Sequence, residues 1–188
     1  MTPSRLSAKH RLKQLERVFS VEDLINQQML SAKAASVYLA RWQEAGLIGR
    51  LGPRCGIWVN FVRPGGNEVS WEDRTRGILR KHRLAIVGGR SALEAAGWMD
   101  ASGGPVDLLI PQGQSRAKFD GTTLSLRTPV VHATLWVLAR FSPVMGLHTL
   151  PPDVAVADLV ARKEEVDLSL RQRAGDIGAL VRRVSGRS

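Results

Sequence analysis

The order of the local patterns in the first 63 residues constrains this chain more than any other feature. Apolar positions among basic residues predict a helix over residues 5–18. Ser20 can cap a second helix, because a hydroxyl there accepts a hydrogen bond from the first turn. A third helix is predicted over Ala32 to Ala45, and Gly46 can supply the left-handed residue at which helices commonly end. Three helices within this length predict a helix-turn-helix.

A β-hairpin pattern follows directly. Apolar residues at 47, 48 and 51 lead into the turn-forming residues 52–56, and residues 57–62 are rich in β-branched and aromatic types. The turn carries Arg54, so the hairpin has a basic tip. Helices followed by such a hairpin predict a winged helix-turn-helix.

Residues 63–67, which include Pro64, Gly65 and Gly66, form the most linker-like stretch of the chain. We therefore predict three parts: a winged helix over residues 1–63, a linker over 64–70, and a C-terminal α+β domain over 71–188. The predicted fold class of the whole chain is α+β.

The second domain has a mixed pattern. Strands are predicted over residues 84–87, 106–110 and 122–126, and residues 130–139 fit either a strand or a helix because the run is apolar throughout. Helices are predicted over residues 72–82, 91–97, 153–162, 168–174 and 177–184.

Charge indicates the kind of partner. The chain has 27 Lys and Arg against 17 Asp and Glu, a net charge of +10, and ten basic residues against four acidic ones give residues 1–63 a net charge of +6. A strongly basic module favours a polyanionic partner, nucleic acid before a membrane surface. No run approaches the ~18 apolar residues of a membrane span, and no signal-peptide pattern begins the chain. We expect a cytoplasmic protein with no membrane partner.

The third helix has a face suited to the DNA major groove. Its apolar residues fall on one arc of a helical wheel, and small and basic residues fall on the other. Short side chains let a helix enter the groove, where Lys, Arg and Ser can meet base edges and phosphates, while the hairpin tip follows the backbone or the minor groove. The predicted DNA-binding residues are Ser31, Lys33, Ser36, Val37, Arg41, Arg50 and Arg54. A solvated charged helix face and a protein-docking winged helix are the alternatives.

Further basic residues follow the linker. Those in the predicted helix over 72–82 either extend the DNA-binding surface or form a solvated helix face. An anion can also bind at the turn before residue 91, at a helix start. The possible additional contacts with DNA or a partner are Arg74, Arg76, Arg80, Lys81, Arg83 and Arg90.

No pattern in the sequence indicates a catalytic site or a metal site. The four histidines lack metal-ligand spacing, and no carboxylate pair has a positioned histidine. We expect no enzymatic activity, no metal and no cofactor. The hypothesis of an enzyme that acts on nucleic acid or nucleotides therefore has the least support. Cys55, beside Arg54, fits either a redox-sensing thiol or a small residue in a turn.

Several runs resemble one family. The segment from Ser31 to Arg50, followed by Arg54-Cys55-Gly56-Ile57-Trp58, resembles the N-terminal winged helix of the AbiEi family, the antitoxins of type IV toxin-antitoxin systems. Residues 89–97, ending in Gly, and residues 151–160, with an Ala-x-x-Asp-Leu core, resemble downstream parts of the family. The likeness spans most of residues 15–183. Cys55 and Trp58 depart from it, standing where a Gly-Val-Tyr-like run is common.

The resemblance implies a two-domain transcriptional repressor. Its winged helix would bind inverted repeats of double-stranded DNA in its own promoter. Its C-terminal domain would counteract a nucleotidyltransferase-like toxin, without requiring a stable complex. The antitoxin activity is expected from the resemblance alone. The alternative is a protein-interaction module that binds or inhibits a partner through the C-terminal domain.

Overall fold

The computed structural model describes residues 7–114 and 117–186, and over these residues the chain has an α+β fold with nine helices and two sheets. The chain divides into two compact units. The described part of the first comprises residues 7–81 and 117–120, and that of the second comprises residues 82–114 and 121–186. None of the described helices has the length and apolar character needed to cross a membrane.

The first unit combines four helices with a three-stranded antiparallel sheet of order β1-β3-β2. Its core joins the helices to the hairpin, because Leu39 and Trp42 pack with Phe19, Ile48 and Trp58. The elements are α1 (Ala8–Leu12), β1 (Val18–Ser20), α2 (Val21–Gln28), α3 (Ala32–Glu44), β2 (Ile48–Arg50), β3 (Ile57–Asn60) and α4 (Trp71–Lys81).

The caps of α2 and α3 confirm the predicted helix starts. Ser20 and Asp23 form a reciprocal capping box, and the Ser31 hydroxyl accepts a hydrogen bond from the Ala34 amide at 3.2 Å. The helix predicted over 5–18 is wrong in its extent: α1 ends at Leu12, and residues 5 and 6 lie outside the described part of the chain. The sequence pattern also misses β1, because a three-residue strand is defined by its pairing with the distant β3.

The predicted linker and α4 belong to the first unit, whereas the sequence pattern places α4 in the second domain. The buried Arg17 guanidinium is the reason. It pairs with Asp73 of α4 at 2.9 Å and donates to the carbonyls of Gly65, Gly66 and Glu68 at 2.8–3.1 Å. Residues 64–70 are therefore wrapped around a buried cation, and the boundary between the units falls after Lys81.

The second unit has a five-stranded mixed sheet of order β6-β5-β4-β8-β7, in which β5 is parallel to β6 and β4 is parallel to β8. Its core is built around α5, α6 and α7. The elements are β4 (Ile86–Val87), α5 (Gly89–Ala95), β5 (Val106–Pro111), β6 (Thr122–Arg127), α6 (Pro129–Leu138), β7 (Arg140–Ser142), β8 (Leu147–Thr149), α7 (Pro152–Ala161), α8 (Leu168–Ala174) and α9 (Gly178–Val184).

The sequence pattern left one element of the second unit undecided between helix and strand, and it did not predict two of the strands. The apolar run over residues 130–139 forms a helix, because Thr128 caps it and Pro129 occupies its first turn. Strands β7 and β8 were not predicted, since each has three residues and is defined by pairing within the sheet.

Candidate nucleic-acid interface

Helix α3 separates its residues into an inner and an outer face. Ala35, Leu39 and Trp42 are buried at helical spacing, and Tyr38 stacks on Trp42 with ring centroids 5.5 Å apart. The Arg11 guanidinium lies over the Tyr38 ring, 5.0 Å from its centroid. The inner face therefore holds α3 firmly against the rest of the unit.

The outer face of α3 is exposed, and it carries the small and basic residues that the helical wheel predicted for this face. Ser36 donates its hydroxyl hydrogen to the Ala32 carbonyl at 3.0 Å, which leaves its oxygen as an acceptor. Val37 is 44% exposed, so this large apolar side chain lies on the surface and not in the core. The exposed residues of α3 are Ala32, Lys33, Ser36, Val37, Ala40, Arg41, Gln43 and the single acidic residue Glu44.

A groove of about 440 Å³ separates α3 from the hairpin formed by β2 and β3. One wall consists of Ser36, Ala40 and Gln43 of α3, and Arg50 and Arg54 contribute to the other. A second depression, on the opposite flank of α3, contains Ser31, Lys33, Val37 and Arg41. Of the seven predicted DNA-binding residues, three line the groove and four line the second depression.

The sequence reasoning missed Gln43. It lies three residues after Ala40 and seven after Ser36, so extending the helical wheel by one turn would have placed it on the outer face. An exposed glutamine amide offers both a donor and an acceptor beside the small residues of the groove.

The hairpin is held in position at its base and tip. Arg50 lies over the ring of Trp58, its cross-strand partner, 4.7 Å from the centroid. Arg54 has a left-handed backbone with φ of 57°, which is uncommon for residues other than glycine. The Val21 amide donates to the Gly56 carbonyl at 3.2 Å, tying the turn to the start of α2.

The basic residues of α4 differ from those of α3 because the first unit's own acceptors engage them. Arg76 pairs with Glu72 at 2.6 Å, and Arg80 pairs with Glu16 and Asp23 at 2.6 and 2.7 Å. By contrast, no carboxylate in the described part of the chain forms an ion pair with Lys33, Arg41 or Arg54. In α4, Lys81 also lies 4.0 Å from Glu22, and Arg74 donates to the Asp120 carbonyl.

The two remaining candidates, Arg83 and Arg90, are exposed residues of the second unit. The turn before Arg90 is a poor anion site, because a Cβ placed on Gly89 would meet the Asp107 carboxylate at 2.5 Å. Burial raises the pKa of Asp107, although the charge of Arg162 opposes the shift. The chain's own carboxyl group therefore lies where an anion at this turn would have to approach.

Cys55 is a packed residue within the hairpin turn. Its side chain is almost completely buried, and Sγ donates to the Gly52 carbonyl at 3.2 Å. Burial raises the pKa of the Cys55 thiol, and hydrogen bonds from the Ile57 and Cys55 amides and the charge of Arg50 only partly oppose it. These features favour the interpretation of Cys55 as a small residue in a turn. A redox sensor would need an accessible thiolate.

We expect Cys55 in the native protein to resist a thiol reagent such as DTNB at neutral pH. Both its burial and its raised pKa suppress the reactive thiolate. The same protein unfolded in guanidinium should react fully with one equivalent, which serves as the control. Rapid labelling of the native protein would contradict the buried position.

Within residues 7–114 and 117–186, no cluster of three or more His, Cys, Asp or Glu side chains is arranged to hold a metal ion. His132 is buried in the second unit, and burial lowers its pKa despite opposing hydrogen bonds with the Leu84 and Leu109 backbone.

No protein-family model matches this chain, and no curated protein matches it. Its fold is similar to that in a solved structure, the crystal structure of the RV2827C protein from Mycobacterium tuberculosis. The TM-score is 0.63, the sequence identity is 16%, and the match covers 96% of this chain and 70% of that chain. At this identity, the similarity shows that the two chains share a fold.

Proposed function

We propose that the first unit is a winged helix-turn-helix that binds double-stranded DNA, and that the protein is a transcriptional autorepressor and antitoxin of a type IV toxin-antitoxin system. The observation that carries the DNA-binding part is the outer face of α3. Lys33 and Arg41 flank small residues there and form no ion pair within residues 7–114 and 117–186, and the basic hairpin lies beside them.

A helix with short outer side chains can enter the major groove of duplex DNA. The major groove is about 12 Å wide and admits an α-helix. Ser36 and Ala40 keep the outer side of α3 slim, so Lys33 and Arg41 can reach base edges or phosphates. Arg54, at the hairpin tip, is placed to contact the backbone or the adjacent minor groove.

The antitoxin part is supported by the resemblance of sequence motifs to the AbiEi family. The downstream motifs, residues 89–97 and 151–160, fall on α5 and α7 of the second unit. The proposed operator is an inverted repeat in the protein's own promoter, and the proposed functional partner is a nucleotidyltransferase-like toxin. Co-expression with the product of the adjacent gene tests this part: the chain should restore growth if that gene encodes such a toxin.

We expect Lys33→Ala and Arg54→Ala to weaken binding to the promoter of the protein's own operon. Loss of a base contact costs about 1–3 kcal/mol, or roughly 5- to 150-fold in Kd, and relaxes specificity. Loss of a phosphate contact weakens binding to all sequences and lowers the salt slope by about 1. Fluorescence anisotropy over a range of salt concentrations distinguishes the two.

Arg76→Ala is the matched control because it removes one positive charge from the same unit. Arg76 already pairs with Glu72, so its replacement should change the affinity for DNA much less. If Lys33→Ala and Arg54→Ala bind promoter DNA as tightly as the unmodified chain, these residues do not belong to the interface.

The second candidate function is a protein-interaction module. Val137, Phe141 and Val144 are 61–79% exposed within eight residues of the second unit. Exposed apolar side chains grouped in this way are common at protein interfaces. This alternative predicts copurification with the adjacent gene product at high salt, weakened by Phe141→Ser, and no preference for promoter DNA over random DNA.

A further inference from the structure

The second unit contains a cavity of about 460 Å³ at the carboxyl ends of the parallel strands β5 and β6. Gln112 directly follows β5, Arg127 is the last residue of β6, and Thr128 begins the connection into α6. Sheets with helices on their faces commonly bind ligands at the carboxyl ends of their strands. The volume lies within the range of small-molecule sites, about 300–1,000 Å³.

Two arginines in the cavity wall are held in place by one buried carboxylate. Arg127 forms a fork with Asp158, through Nε to Oδ1 at 3.2 Å and Nη2 to Oδ2 at 3.1 Å. Arg162 reaches the same Oδ2 from its Nε at 3.1 Å and also pairs with Glu164. Asp158 itself is 1% exposed. This network fixes both guanidinium groups in the cavity wall, and Asp158 and Glu164 balance their charges.

Two further cations line the cavity. Lys163 and Arg182 are exposed, and neither forms an ion pair with any carboxylate in the described residues. Because Asp158 and Glu164 balance Arg127 and Arg162, the surplus of positive charge at the cavity comes from Lys163 and Arg182. Such a surplus in a concave site attracts anions more strongly than the same charges on a convex surface.

The backbone at the end of α7 fixes the position of Lys163. Its φ is 62°, in the left-handed region that residues with a Cβ rarely adopt. The conformation is that of an ordinary helix end, closed by the Lys163 amide donating to the Val160 carbonyl and the Glu164 amide donating to the Leu159 carbonyl, both at 3.0 Å. Here the left-handed residue follows α7 and places Lys163 in the cavity wall.

The remaining wall is apolar. Val131, Val160, Val181 and Val184 line it, so the site offers an apolar surface next to the cations. Inorganic phosphate would use only the charges. A ligand that combines phosphate groups with a flat, weakly polar ring system would use both surfaces.

We propose that this cavity binds an organic polyphosphate of the nucleoside triphosphate type. Its phosphates lie against Lys163 and Arg182, and its ring lies against the valines. The proposal is independent of DNA binding by the first unit, because all of these residues belong to the second.

Isothermal titration calorimetry of the full chain with ATP, adenosine and tripolyphosphate tests the proposal. ATP should bind more tightly than either fragment, because only ATP contacts both surfaces. The double variant Lys163→Asn with Arg182→Gln should weaken ATP binding by at least about tenfold. Asparagine suits position 163 because it tolerates the left-handed backbone.

The matched control is Arg171→Gln with Arg183→Gln, which also removes two exposed positive charges from the second unit but leaves the cavity unchanged. Equal loss in both double variants means general charge attraction and overturns the proposal. So does an absence of ATP binding, or tripolyphosphate binding as tight as that of ATP.

Photolabelling with 8-azido-ATP gives a readout that does not depend on any substitution. The labelled peptides should contain residues 127–131 or 181–185, and excess ATP should prevent the labelling. Labelling confined to the first unit, around α3, would instead identify the DNA-binding surface as the site and contradict the proposal.

Discussion

Arg17→Ala is expected to lower the free energy of unfolding of the first unit by about 3–5 kcal/mol, the cost of breaking a buried ion pair by removing one partner. The Arg17 and Asp73 side chains are only 9% and 5% exposed. Alanine would leave the Asp73 carboxylate buried without its cation. It would also remove the donors to the Gly65, Gly66 and Glu68 carbonyls, so residues 64–70 would lose their anchor.

Guanidinium denaturation monitored by circular dichroism measures this effect. Arg76→Ala is the control, because the Arg76–Glu72 pair is exposed and such pairs contribute about 0–1 kcal/mol. Arg17→Lys should recover only part of the loss, since an ammonium group cannot reproduce the two-bond fork to Asp73. If Arg17→Ala destabilises the protein no more than Arg76→Ala, the Arg17 network does not hold the loop and α4.

The Arg17–Asp73 pair also gives the first unit a defined pH dependence. Burial raises the pKa of Asp73, but hydrogen bonds from Arg17 and the Ser70 amide and the charge of Arg17 outweigh it, so the pKa falls below its ordinary value of 3.8. A lowered folded-state pKa means that the native state binds the proton less readily than the unfolded state. The stabilisation is therefore fully present above pH 3.8 and is lost as the pH falls through the folded-state pKa.

Asp73→Asn should abolish this dependence, although it also destabilises the protein at neutral pH. The difference in unfolding free energy between the unmodified chain and Asp73→Asn should shrink as the pH falls below 3.8. Denaturant titrations at a series of pH values provide the measurement. A difference that stays constant or grows towards acid would contradict the lowered pKa.

The second large effect is expected from Asp158→Ala, which should destabilise the second unit by about 3–5 kcal/mol. Asp158 bridges Arg127 and Arg162, whose side chains are 11% and 21% exposed. Without this carboxylate, the guanidinium groups of Arg127 and Arg162 would lie close together and lack the anion that they share. Glu164 still pairs with Arg162, so Arg127 loses more than Arg162 does.

Differential scanning calorimetry tests this prediction. The control is Glu165→Gln, which removes an exposed negative charge a short distance along the chain from α7. It should change the stability by only a few tenths of a kcal/mol, within the roughly ±0.5 kcal/mol of ordinary surface substitutions. If Asp158→Ala unfolds at the same temperature as this control, the bridge does not stabilise the unit.

The faces of α3 were predictable because they follow from local rules. Ser31 can cap only a helix that begins directly after it, Gly46 can end that helix, and residues three and four apart must share a face. The positions of Lys33 and Ser36 on the outer face therefore followed from the order of residues within a few turns.

The unit boundary and the state of the α4 charges depended on contacts between distant residues. Arg17 and Asp73 are 56 positions apart, and Arg80 is 57 positions from Asp23, so no local pattern relates them. The same holds for β1, a three-residue strand that exists through its pairing with β3. Composition and helical periodicity were enough to find the basic face of α3, since both act over a few residues. Which of the other cations are neutralised, and where one unit ends, depends on side chains that meet only when the chain has folded.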